Sequence, residues 1–113
     1  NTMRDVRGVK PERLKQAQTV RHCDLSLVGE PLMYPNINSY IRHMHYRGIS
    51  TWMYHTGIHP KELERLTTTT QLVLSVCGPT RQLMNDIVQS VYDDFWERFQ
   101  ASLEIMARKP HRT

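Results

Sequence analysis

The alternation of short apolar runs with helical patterns predicts an α/β fold built on a parallel sheet. Three runs carry the strand signal: Leu25 to Val28, Ile49 to His55 and Gln71 to Val76. A glycine follows each of them within two residues. Between the runs, apolar residues recur at three and four positions, the period of a helix with one buried face. Strand, helix, strand, helix, strand, helix is the order that right-handed crossovers between parallel strands produce.

Residues 1 to about 10 read as a polar lead-in. Pro11 to Gln18 makes two helical turns, with Pro11 acceptable at the first helical position. Leu25 to Val28 is compact and apolar, as expected of a strand buried on both faces. Asn36 is placed to cap an amphipathic helix with Ile37, Tyr40, Ile41 and Met44 on one face. Arg47 suits its last turn and Gly48 stops it. The second strand carries Trp52 and Tyr54, Gly57 breaks it, and Pro60 starts a short helix with Leu63 and Leu66. Thr67 to Thr70 is a linker. Gly78-Pro79 ends the third strand, and a helical stretch with Leu83 and Ile87 follows. Ser90-x-x-Asp93 has the form of a capping box before a last helix whose buried face is marked by Phe95, Phe99, Leu103 and Met106. Pro110 ends it.

Length bounds the architecture. The chain has 113 residues, 39% of them hydrophobic, enough for one small domain but short of the roughly 250 residues of an eight-stranded barrel. Cys23 and Cys77 are too few for a disulfide framework or for a cluster held by three or four thiolates, and their sparsity suits a reducing compartment. No run of about 20 apolar residues exists to cross a membrane, so no membrane partner is expected. The first residue is Asn1 rather than methionine, as expected of a segment of something longer. The formal net charge is +4 and the pI about 9.3, which is compatible with a nucleic-acid partner.

The informative stretch is the turn after the first strand. Gly29 permits a sharp change of direction, while Pro31 and Pro35 forbid an immediate helix. Glu30 then stands alone as a carboxylate at the carboxyl end of the strand, the edge where parallel α/β sheets bind ligands. A glycine there lets a small ligand approach the backbone while the acid takes its amino or hydroxyl groups. Taken alone, Gly-Glu-Pro is equally an ordinary turn with a solvated acid.

The longer string, His22-Cys23-x-Leu25-Ser26-Leu27-Val28-Gly29-Glu30-Pro31-x-Met33-Tyr34-Pro35-x-Ile37-Asn38, resembles the second strand and following turn of the radical-SAM enzymes of tRNA wybutosine synthesis, the 4-demethylwyosine synthases. The likeness continues through Thr70-Gln71-Leu72, Ser75-Val76, Asp94-Phe95-Trp96-x-Arg98-Phe99 and Arg112-Thr113. It implies a partial parallel (β/α) barrel, with this chain as its second to fourth strand-helix units. The cluster-binding cysteines and the C-terminal part, with its pyruvate-engaging lysine, would lie outside residues 1–113. It further implies a cytoplasmic radical-SAM lyase that joins a two-carbon unit from pyruvate to N-methylguanosine in phenylalanine tRNA. Such an enzyme uses S-adenosylmethionine and a 4Fe-4S cluster, and FMN where a flavodoxin-like domain is attached. The Gly-Glu-Pro turn would hold the amino group of S-adenosylmethionine. The implied cofactor-binding set is Ser26, Gly29, Glu30, Pro31, Thr56 and Cys77, with no metal ligand and no catalytic residue assigned.

Three departures fall where the resemblance puts ligand-edge residues. Thr56 stands for an asparagine, Cys77 for an aspartate and Gln89 for an arginine, and the last two remove charge. The chain alone is expected to be inactive. The alternatives are a truncated or decayed paralogue that only binds tRNA or a protein, and an unrelated basic α/β nucleic-acid-binding module.

Other chemistry is poorly supported. His43 and His45 point apart on a helix, while Gly57 and Pro60 break any helix joining His55 to His59, so no zinc site is expected. Cys77 reads as a small buried residue, with a reactive thiol as the other reading. The six methionines read as core filler, and Trp52 and Trp96 as buried rather than base-stacking.

Overall fold

The computed structural model describes residues 6–26 and 28–110. Leu27, Arg112 and Thr113, used above, lie outside them. The elements are α1 (Pro11–Gln16), β1 (His22–Leu25), a 3₁₀ turn (Pro31–Met33), α2 (Ile37–Tyr46), β2 (Ser50–His55), α3 (Pro60–Arg65), β3 (Gln71–Leu74), α4 (Arg81–Val88) and α5 (Phe95–Arg108). The three strands form one parallel sheet in the order β1-β2-β3, with Cys23 beside Thr51 and Met53 beside Leu72.

Alternation along β2 defines the two faces of the sheet. Thr51, Met53 and His55 are buried, and Ser50, Trp52 and Tyr54 point the other way. Met53 packs with Ile37 and Ile41 of α2, Leu63 of α3, Leu66, Leu72 and Ile105 of α5 in the main core. His45 on α2 meets Thr51 at 2.8 Å, and Met106 on α5 meets His55 at 3.2 Å. The helices therefore cover one face. A second apolar cluster, Met84, Phe95 and Phe99, joins α4 to α5 beyond the end of β3.

One-sided cover explains most differences from the sequence expectations. The first strand ends at Leu25, is half-exposed in alternation, and leaves Val28 92% exposed, because β1 is an edge strand with one open face. Trp52 lies on the open face and is 43% exposed, not buried. Trp96 is half-buried and stacks on Phe99. Met53 and Met84 are core residues, whereas Met33 is exposed. On α4 the packed residues are Met84 and Val88, and Leu83 and Ile87 face outward.

Helix ends also differ. Pro31 begins a 3₁₀ turn rather than delaying helix. Asn36 sits at the start of α2 without a side-chain cap; Asn38 instead ties α2 to the residues after α3, donating to Arg65 O and accepting from Thr67 N–H. No capping box forms at Ser90: its hydroxyl accepts from Tyr92 N–H, and α5 starts after Asp94, which pairs with Arg98 at 2.7 Å. The buried face of α5 is Phe95, Phe99, Ser102 and Ile105, which leaves Leu103 exposed.

Candidate ligand edge

Because the strands are parallel, Leu25, His55 and Leu74 end at one edge, and the segments leaving them gather there. The β1 segment turns at Gly29, whose φ of +75° is open to glycine and strained for other residues. That turn sends the Glu30 side chain toward the end of β2. One of its oxygens, Oε2, accepts the Thr56 N–H at 3.0 Å and the Thr56 hydroxyl at 2.7 Å. Among the described residues the other, Oε1, accepts only a long 3.4 Å bond from Leu32 N–H. No ion pair among the described residues involves Glu30.

The β2 segment is held from behind. Gly57 is buried at φ +79°, and a Cβ placed there would lie 2.7 Å from Leu74 Cδ1 and 3.0 Å from Phe99 Cδ2. Ser102 Oγ on α5 donates to Gly57 O at 2.7 Å within the core. The long helix thus clamps the loop that carries Thr56. Sequence reasoning missed this clamp. A buried serine inside an apolar helix face was the available signal, and the four-residue stepping passed over it.

His55 underlies the same edge. Burial pushes its imidazole down to about 4, with the Glu30 charge acting weakly the other way, so it is neutral at ordinary pH. Its Nδ1 has no hydrogen-bond partner among the described residues.

The predicted site residues separate in space. Glu30 and Thr56 meet directly. Ser26 and Pro31 line a mostly apolar groove of about 310 Å³ along β1, with Leu25, Tyr34 and Tyr40. Cys77 is three residues beyond the end of β3 and exposed, which corrects its expected burial. Gln89 caps α4 in a left-handed conformation, φ 46° and ψ 52°. Cys23 faces the helices, 3.5 Å from the Tyr40 hydroxyl. No group of three or more histidine, cysteine or acidic side chains among the described residues is placed to hold a metal ion. No helix among the described residues is long and apolar enough to cross a membrane.

Comparison with known proteins points one way. The chain is 43% identical over 110 residues to the S-adenosyl-L-methionine-dependent tRNA 4-demethylwyosine synthase TYW1 of Danio rerio, covering 97% of this chain and 15% of that protein. It is 42% identical over 111 residues to the corresponding synthase of Schizosaccharomyces pombe, covering 98% of this chain and 16% of that one. A solved structure of TYW1 with a lysine-pyruvate adduct bound superposes with a TM-score of 0.79 at 27% identity, over 91% of this chain and 34% of its own. The crystal structure of an archaeal TYW1 gives 0.72 at 27%, over 88% and 34%. The chain therefore spans about one sixth of the curated relatives it matches. No protein-family model matches it.

Proposed function

Since the chain is a homologue of one segment of the S-adenosyl-L-methionine-dependent tRNA 4-demethylwyosine synthases, we propose that it supplies the cofactor-holding turn of such an enzyme. One observation carries this reading. The Glu30 carboxylate is fixed by Thr56, paired with no cation among the described residues, and placed at the carboxyl edge of a parallel sheet. An ammonium group is the natural complement of such an acid, and S-adenosylmethionine carries one. Glu30 would receive it, with Thr56 orienting the carboxylate. Gly29 and Pro31 shape the turn, Ser26 flanks it, and Cys77 lies three residues beyond the end of β3.

The reaction we assign is the one the sequence resemblance implies: in the cytoplasm, a two-carbon unit from pyruvate is joined to N-methylguanosine in phenylalanine tRNA. When bound, S-adenosylmethionine supplies the radical chemistry, and the residues of this chain bind and orient it. The 4Fe-4S cluster does not fit the described residues, because Cys23 packs toward the helices and Cys77 sits in an exposed loop. On this reading the cluster cysteines belong to a part of the barrel outside residues 1–113. FMN would take part only where a flavodoxin-like domain is attached.

A second reading, a non-catalytic paralogue, is favoured by Cys77 and Gln89, both exposed where the family carries an acid and a guanidinium. One experiment decides between them. The segment is exchanged for its counterpart in a complete relative, and S-adenosylmethionine cleavage and tricyclic-base formation on tRNA are followed. Activity that Glu30→Ala abolishes supports the enzyme reading. An inactive chimera revived by Cys77→Asp with Gln89→Arg supports the paralogue. Activity indifferent to Glu30→Ala overturns the assignment of Glu30.

A further inference from the structure

The charge of the chain is unevenly placed. Residues 1–21 hold six lysines and arginines against two acids, and the rest of the chain holds nine against nine. The whole excess of +4 therefore precedes β1. In the structure residues 6–21 form an arm rather than part of the core. Helix α1 buries no residue, and of residues 6–21 only Val9 and Leu14 are even half-buried. Arg7, Lys10, Arg13, Lys15 and Arg21 are all exposed, and none pairs with a carboxylate among the described residues. Arg13 reaches only the Gln16 side-chain carbonyl. Farther along the chain, Arg81, Arg98 and Arg108 each have an acidic partner.

Five exposed cations without a carboxylate partner among the described residues, all within residues 7–21, match a polyanion. A bilayer surface would need an apolar helix face as well, and α1 offers Leu14 alone over six residues. A phosphodiester backbone needs only the charge. The arm joins the sheet at its amino edge, where Arg21 O accepts Ser50 N–H, whereas Glu30 lies at the carboxyl edge. We propose that residues 6–21 form a contact arm for the phosphate backbone of a structured nucleic acid, separate from the ligand edge. That the nucleic acid is RNA rests on the function proposed above; the phosphate recognition does not. Such contacts position a substrate and carry no base preference.

The test is fluorescence anisotropy of a labelled RNA hairpin with the 113-residue chain over a range of potassium chloride concentrations. With up to five phosphates engaged, the log–log slope of affinity against salt is expected near about −4. The variant Lys10→Gln/Arg13→Gln/Lys15→Gln/Arg21→Gln should flatten that slope by about 3 and weaken low-salt binding at least about tenfold. A control, Arg42→Gln/Arg47→Gln on α2, should keep both, and thermal melts should show all three proteins folded. The proposal is overturned if the arm variant binds as the unmodified chain does, if arm and control variants weaken equally, or if phosphatidylserine vesicles are bound in preference to the hairpin. No catalysis enters the assay, so its failure leaves the assignment of Glu30 standing, and the converse holds.

Discussion

Thr56 donates twice to the same oxygen of Glu30, through its N–H at 3.0 Å and its hydroxyl at 2.7 Å. One carboxylate oxygen thereby takes both short bonds and the other keeps the long 3.4 Å bond from Leu32 N–H, and the segments leaving β1 and β2 are joined across 26 positions of sequence. Threonine at this position holds the Glu30 carboxylate through both of its donors.

Removing the hydroxyl should therefore loosen Glu30 without disturbing the fold. A hydrogen bond to a charged group is worth about 1.5–3 kcal/mol. In the chimera described above, Thr56→Val is expected to raise the KM for S-adenosylmethionine about tenfold or more, with kcat much less affected. Thr56→Ser should behave as the parent. An unchanged KM in the valine variant would show that Thr56 does not position the acid.

Gly57 should tolerate no side chain. Left-handed backbone costs a non-glycine residue about 1–3 kcal/mol, and the contacts at 2.7 Å and 3.0 Å add overpacking of similar size. Gly57→Ala is expected to lower unfolding free energy by about 3 kcal/mol, read as a fall in the urea midpoint. The same substitution at Gly48, whose Cβ would meet nothing within 4 Å, carries the backbone term alone.

His55 makes stability depend on acid. Its folded value of about 4 lies below the unfolded 6.5, so the unfolded chain binds the proton first. Stability from this residue is complete above pH 6.5 and is lost as pH falls toward 4. The loss approaches about 3 kcal/mol at its limit, from about 1.4 kcal/mol per unit. Chemical denaturation at pH 7 and pH 5 measures it. His55→Leu should flatten the dependence; an equal slope in that variant would place its origin elsewhere.

The rotational setting of α5 has its own test. Ser102→Ala removes the buried 2.7 Å bond to Gly57 O and should destabilise by about 1–3 kcal/mol. Leu103→Ala, one residue on but 44% exposed, should cost less than about 1 kcal/mol. The reverse ranking would mean that the leucine faces the core.

The sequence by itself determined the kind and order of the elements. Gly48, Gly57 and Pro60 punctuate the chain through backbone restrictions that act locally, and three separate apolar runs demanded a parallel sheet with helical crossovers. It also marked Glu30, through its place at a strand end and the longer string of residues around it that resembles a known family. What a local pattern cannot carry is which face of an element meets another. Val28 and Trp52 are apolar, yet the helices cover only one side of the sheet and leave both exposed. Ser102 rather than Leu103 faces inward, because Gly57 O needs a donor where α5 crosses the loop. The meeting of Thr56 with Glu30 was likewise decided by tertiary structure. Only strand pairing brings the ends of β1 and β2 side by side, and only then can a hydroxyl donate a hydrogen bond to a carboxylate so far away in sequence.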